Sequence, residues 1–361
     1  MRELLLIPGP TPVNEDVLKE ISRQPISHVS KDFAEVLKKC VEDLKVVFGT
    51  SSGEIFIIPG SGTLGMEIAI KNFLKKDEKA LVLSHGFFGD RFIEILEEDD
   101  FNYDKIQSKW GEVIDLNLIY EKLKKEHFSL ITITHVDTST GILAPMEDYM
   151  KIIKEASPDS LVVLDGVCAT AGVEEKMDEW GVDIILTGSQ KALAVPPGLA
   201  ILAVSERAMK KRETIGKIGF YYGDLLRWRP SIQDATKYFA THNTNYTFGL
   251  KKSLEIILSE GLQKRYKRHY ENANYIREKM KGIGFEVFGN KNYLAPTLSL
   301  FIYPEGIDDE KFRLDLKQKG ITVASGIKDL KGKVFRMGHM GEVKKEHLDY
   351  AFEVIKSVVS K

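Results

Sequence analysis

The chain is short of cysteine. Two thiols, Cys40 and Cys168, are spread through 361 residues, too few for a disulfide framework or a zinc cluster built on thiolates. Long apolar runs are missing too. The N-terminal "MRELLLIPGPTP" has four apolar residues in a row before Pro-Gly-Pro, shorter than the core of a secretory signal and far shorter than a membrane span. No stretch concentrates charge of one sign: 51 Lys and Arg against 53 Asp and Glu leave a formal charge of −2. Nothing asks for nucleic acid or a polyanionic surface as partner. Repeats and low-complexity tracts are absent. These absences lead us to expect a cytoplasmic protein with no nucleic-acid, membrane or metal partner. Glutamine is scarce as well, six residues beside many Lys and Glu, a weak sign of a thermophilic source.

What is present is ample core material, 43% apolar residues, in a chain long enough for a large domain and a smaller one. Short runs apolar on both faces, "EIFIIPG" (54–60), "KALVLSH" (79–85), "SLITITH" (129–135), "SLVVLDG" (160–166), "VDIILTG" (182–188) and "LAILAVS" (199–205), predict buried strands. Amphipathic stretches at 33–48, 63–74, 116–127 and 146–156 predict helices between or beside them. The alternation argues for an α/β domain with a mostly parallel sheet. The texture changes within 245–262, where long helices (247–260, 262–281) lead into short strands at 285–289, 297–303 and 333–338 and helices at 309–320 and 344–359. We therefore expect a large domain over 1–250, whose segment 1–30 lines the site, and a smaller α+β domain over 251–361.

In such sheets ligands bind at the carboxyl ends of the strands. Here those ends read "PGSGT", "SHGFFGDR", "THVDTSTG", "DGVCAT" and "GSQK". "GSGTLG" (60–65) fits the dinucleotide pattern, but the next strand ends in Ser84 and His85, without the acid that would hold a ribose. What survives is a cradle of backbone N–H groups at a helix start, suited to one phosphate; an ordinary strand-to-helix turn capped by Ser61 or Thr63 explains the same string. Asp165 and Lys191 fall at two more strand ends with one helical connection between them. A carboxylate in a crevice needs a cation, and a lysine there becomes a nucleophilic amine. A phosphate nest, such a lysine and an acid for a ring nitrogen form the kit for pyridoxal 5'-phosphate (PLP). One of Phe87 and Phe88 supplies a stacking ring, the other core. Singly, each residue has an ordinary explanation: a turn or cap aspartate, a solvated lysine. Their joint placement is what points to chemistry.

At this point the sequence resembles the class V aminotransferases, and within them the alanine–glyoxylate and serine–pyruvate group. The resemblance runs from "LLLIPGPTPV" and "SHVSKDF" through "PGSGT", "GFFGDR", "HVDTSTGIL", "LDGVCATAG" and "GSQKALAVPPG" to "GKVFRMG". It implies fold type I, a PLP-binding large domain and a homodimer with shared active sites. It implies a ping-pong transfer from alanine or serine to glyoxylate or pyruvate. It also implies roles: Lys191 as Schiff-base lysine and general base, Asp165 beside the pyridine nitrogen, Val167 under the ring and Phe88 stacked on it. Ser61, Gly62, Thr63 and Gln190 would hold the phosphate, Ser139 the region of the 3-hydroxyl, and Arg336 the substrate carboxylate with Pro8 and Gly9 close by. Tyr238 and Thr241 would reach the neighbouring subunit's phosphate, although "YFATHNTN" departs from the usual "YHHT-P" there. Rival readings are a cysteine desulfurase or lyase of the same class, for which Cys40 and Cys168 look too buried, a nicotinamide dehydrogenase, and a non-catalytic subunit that kept the fold.

Overall fold

The computed structural model describes residues 3–359; the first two residues of the 1–30 segment and the last two of the chain lie outside them. Seven strands form the central sheet: β1 Glu54–Pro59, β2 Lys79–Ser84, β3 Asn102–Gln107, β4 Leu130–Thr134, β5 Leu161–Asp165, β6 Ile184–Gly188 and β7 Leu199–Val204, in the order β1-β7-β6-β5-β4-β2-β3. All run parallel except β7, which is antiparallel to both β1 and β6. Every residue of β4, β5, β6 and β7 is buried, which is why these strands are mostly Val, Ile, Leu and Ala rather than an alternation of apolar and charged residues. β3 is the strand that apolar patterning does not reveal. Its "NYDKIQ" lies on the sheet edge, half exposed, and Asp104 pairs with Lys79 and Lys122 along that edge.

The helices form for local reasons that the sequence carries. Lys31–Phe48 starts where the Ser30 hydroxyl accepts from the Phe33 N–H at 3.2 Å, a cap that contributes about 1 kcal/mol. It ends at Gly49 in the left-handed conformation, φ 65°. Its face from Phe33 through Leu37, Cys40 and Leu44 to Phe48 is buried in the first core. Thr244–Glu260 packs on it, and Leu250, Leu254 and Ile257 of that helix join the same core. The second core gathers about a four-stranded antiparallel sheet, Glu286–Val287, Leu298–Ile302, Val334–Gly338 and Ala324–Ser325. The helix Leu262–Lys281 supplies Ile276 and Met280 to this second core. The two long helices meet at Gly261, but the cores do not divide cleanly there, since Ala295, Leu298 and Leu300 join the first core. The N-terminal segment crosses between them: Leu4–Leu5 pairs with Ile321–Thr322, and Leu6 is buried in the second core.

One buried guanidinium ties the loops at the strand ends to the junction of the long helices. Arg265 donates to the Ala171 carbonyl at 3.0 Å and to the Ala192 carbonyl at 2.7 Å, and pairs with Glu260 at 2.8 Å. The two loops it joins are strained, with Ala171 at φ 63° and Ala194 at φ 52°, conformations that alanine adopts only when surroundings enforce them. Replacing Arg265 by Met should leave two buried carbonyls unpartnered and Glu260 with Arg268 alone. We expect a loss of about 3 kcal/mol, read as a lower urea midpoint at unchanged slope; an unchanged midpoint would refute this role.

Candidate active site

Because β1, β2, β4, β5 and β6 share one direction, their carboxyl ends open on the same side. A cavity of about 120 Å³ lies there, lined by Ser61, Gly62, Thr63, Met66, Phe88, Arg91, Val136, Thr138, Asp165, Val167, Cys168, Gln190 and Lys191. A larger groove of about 700 Å³ opens elsewhere, beside the N-terminal segment and Tyr350, but it lacks this convergence of a buried acid and amine.

Lys191 is delivered by the loop after β6, and the backbone of that loop is fastened at many points. Ser189 donates through its hydroxyl to the Pro196 carbonyl at 2.7 Å and accepts from the Leu199 N–H at 3.2 Å. The Lys191 carbonyl accepts from the Thr11 hydroxyl at 2.8 Å and from the Ala194 N–H at 2.9 Å. The N-terminal segment thus straps across the loop, and the Lys191 ammonium itself donates to the Pro8 carbonyl. Gly9 has to be glycine: its φ is 128°, and a Cβ there would stand 2.5 Å from Cδ of Lys191 and 2.8 Å from its Nζ. Burial lowers the pKa of the amine below the usual lysine value, and the Arg336 and Arg91 cations push the same way.

Asp165 ends β5. Its carboxyl accepts the Val167 N–H at 2.9 Å, and burial pushes it up to about 7. Two residues of the β4 loop that sequence patterning passes over matter here. Asp137 is fully buried and accepts from the Phe88 and Gly89 N–H groups at 3.0 Å each, from the Ser139 N–H at 2.9 Å and from the Ser139 hydroxyl at 2.6 Å. It caps the helix Phe87–Glu98, whose own N-cap, Gly86, has no side chain to do so. Thr138 is the residue of that loop that lines the cavity. Ser139 faces Asp137 and the Phe87 N–H, which donates to its hydroxyl at 2.9 Å.

At the other end of the cavity the helix Gly62–Phe73 begins with no side-chain cap. The Gln190 amide beside it is buried with an oxygen that has no partner among the described residues. Gly62 must lack a side chain, since a Cβ there would come 2.7 Å from Val167. Arg91 reaches in from the next helix and donates to the Thr63 hydroxyl at 3.2 Å. Its position, one helical turn after Phe88, is a spacing the sequence could have revealed.

Arg336 stands on the second sheet, where it pairs in register with Leu300 and Ala324. It donates to the Ser325 carbonyl at 2.8 Å and, across to the first sheet's loop, to the Thr138 carbonyl at 3.2 Å. Tyr238 and Thr241 are apart from this chain's cavity and exposed; Tyr238 keeps 66% of its surface, with its ring 5.4 Å from that of His28. Cys168 lines the cavity, but burial pushes its thiol up to about 11, and Cys40 is packed in the first core. Neither resembles the thiolate a desulfurase needs. His85, where a nicotinamide enzyme would carry its acid, is a buried ring bonded to the Tyr149 hydroxyl at 2.9 Å.

A sequence profile of the class-V aminotransferases matches residues 6–337. The chain is 37% identical over 346 residues to an uncharacterized aminotransferase of Methanocaldococcus jannaschii, covering 94% of this chain and 88% of that one. It is 35% identical over 358 residues to alanine–glyoxylate aminotransferase 1 of Saccharomyces cerevisiae, covering 94% and 92%. The crystal structure of an alanine–glyoxylate aminotransferase from a Nostoc species matches with a TM-score of 0.95 at 29% identity, over 99% of this chain and 96% of that one. The fold is that of the type I PLP enzymes. The chain belongs to the class-V aminotransferase family, the PLP-dependent transaminases.

The raised pKa of Asp165 has a consequence for stability. A carboxyl whose folded pKa of about 7 exceeds its unfolded value binds more protons when folded. Its contribution is full below about pH 4 and is lost as pH rises through about 7. In the cofactor-free protein, Asp165→Asn should therefore gain stability over the parent as pH rises from 4 to 8, by at most roughly 4 kcal/mol. Urea denaturation across that range checks it; a pH-independent difference would refute it.

Proposed function

We propose that the protein moves an amino group from alanine or serine to glyoxylate or pyruvate, with PLP held in the cavity between Asp165 and Lys191. The observation that carries this reading is a pairing that is not made. Both groups line one cavity and both are removed from water, yet no ion pair joins them among the described residues; Asp165 is held by Val167 and Lys191 by Pro8. An acid and an amine kept apart across a gap fit a group with a basic nitrogen at one end and a carbonyl at the other. The rest of the lining suits the same group. The uncapped helix start, Ser61 and Thr63 are donors for a phosphate, the Gln190 side chain lines the same cavity, and Val167 and Phe88 are apolar walls.

When bound, PLP supplies an electron sink that stabilises negative charge at the substrate Cα. The side chains do the remainder. Asp165 keeps a proton at the ring nitrogen, because an anion in this dry setting is stable only against a cation. Lys191, whose amine burial leaves more readily uncharged and so available as a base, would take the proton from Cα and return it at the acceptor carbon. Arg336 spends Nε and one terminal nitrogen on backbone carbonyls, which fixes its plane and leaves the other terminal nitrogen for the substrate carboxylate. Ser139 acts through Asp137 and the helix that carries Phe88, at one remove from the ring's 3-hydroxyl region. Pro8 and Gly9 close over the lysine. The exposure of Tyr238 and Thr241, away from their own cavity, supports a homodimer in which they complete the partner's phosphate site.

Lys191→Ala tests the reading. The parent, loaded with PLP, should absorb near the visible edge and catalyse alanine- or serine-dependent amination of glyoxylate or pyruvate with ping-pong kinetics. The variant should lose the band and at least a thousandfold in rate, on the order of what removing a covalent base costs. A variant that kept both would end the assignment.

A further inference from the structure

A buried phosphate needs more than neutral donors. A phosphate monoester carries about −1.5 to −2 charges at neutral pH, and a helix N-terminus offsets roughly half a charge. The other donors assigned to that end of the cavity, Ser61, Thr63 and Gln190, and Tyr238 and Thr241 from a partner, are all uncharged. Lys191 is committed to the opposite end of the reaction. About one to one and a half units of negative charge would stay uncompensated in a dry site, which is costly.

One cation stands where that charge would fall. Arg91 lines the cavity and places Nη1 3.2 Å from the Thr63 hydroxyl, at the first turn of the uncapped helix. Its guanidinium lies 4.8 Å over the Phe88 ring and 5.3 Å from that of Phe87, so its plane is held by packing. It has no acidic partner among the described residues: its hydrogen bond goes to Thr63 and its face to the two rings. The helix that bears it is pinned at its start by the Asp137 carboxyl. A half-buried guanidinium with free donors, fixed in orientation and lacking a carboxylate, is an anion site awaiting its anion.

We propose that Arg91 is the cationic ligand of the cofactor phosphate, an inference that rests on the PLP reading above. Arg91 neutralises the part of the phosphate charge that the helix end and the hydroxyls cannot. Through its stacking on Phe88 it also couples phosphate binding to the position of the aromatic wall.

The test compares PLP with pyridoxal, which lacks the phosphate, in absorbance titrations of cofactor-free protein. The parent should bind PLP far more tightly than pyridoxal. Arg91→Gln should weaken PLP by about tenfold to a hundredfold, the range for losing charge-assisted hydrogen bonds, while pyridoxal stays within about twofold. Arg91→Lys, which keeps the charge but not the fork, should fall between and serves alone if the glutamine variant does not fold. Equal loss for both ligands would make Arg91 a mere support for Phe88 and overturn the proposal. So would unchanged PLP affinity, including the case where KM for a dicarboxylic donor rises instead and the arginine reads substrate. A parent that bound neither ligand would sink the cofactor reading first, and this proposal with it.

Discussion

An acid and an amine, each buried and each kept from the other, are what the structure is organised around. Left in a low-dielectric crevice without a partner, either group favours its neutral form. That is the direction the protein imposes on both: Asp165 is raised to about 7 and Lys191 is lowered. The cost is borne by the surrounding fold, and it is the condition for chemistry. A carboxyl that is reluctant to ionise alone will ionise readily against a cationic ring, and an amine that is reluctant to stay protonated is a usable base. Had the loops brought the two groups into contact, they would have formed an ordinary buried ion pair with no room for chemistry between them.

Keeping them apart requires rigid backbone on both sides. The β5 loop is held from beneath by a second buried pair: His135 Nδ1 lies 3.0 Å from Glu175, whose other oxygen accepts the Thr170 hydroxyl at 2.7 Å. The β6 loop is held from above by the Thr11 strap and from the side by Arg265, with Pro196 and Ser189 closing its base. Motion at Lys191 is thereby confined to side-chain torsions. A base that must reach a carbon and then move aside gains from this, because a fixed Cα makes the productive geometry repeatable.

Much of this was legible before any coordinates. Buried parallel strands announce themselves as apolar runs, and chemistry-bearing residues at their carboxyl ends follow from topology alone, which is how Lys191, Asp165 and the 61–63 turn could be placed together. What patterning missed has a physical reason in each case. The strand Asn102–Gln107 lies on the sheet edge, and an edge need not be apolar. The reversed direction of Leu199–Val204 leaves no trace in a strand buried on both faces. Of Phe87 and Phe88, adjacent in sequence, Phe88 faces the cavity, a choice set by the Asp137 cap rather than by composition. Thr138 and Ser139 are likewise neighbours in an irregular loop, where periodicity gives no parity.

Arg336 shows how the two cores become one device. It rises from the antiparallel sheet of the second core, yet one of its nitrogens is anchored to the Thr138 carbonyl on a loop of the first. The N-terminal segment makes the same crossing, paired to Ile321–Thr322 at one end and lying on Lys191 at the other. Any relative movement of the cores must therefore shift the carboxylate clamp and the cover over the lysine together. A single guanidinium with one free terminal nitrogen recognises a carboxylate but says little about what is attached to it. Selection among small substrates then falls to the walls, Phe88, Val136, Thr138 and Cys168, and to how far the cores close around them. On the proposed reading, the chemistry belongs to residues of the first core and the choice of substrate to the seam between both.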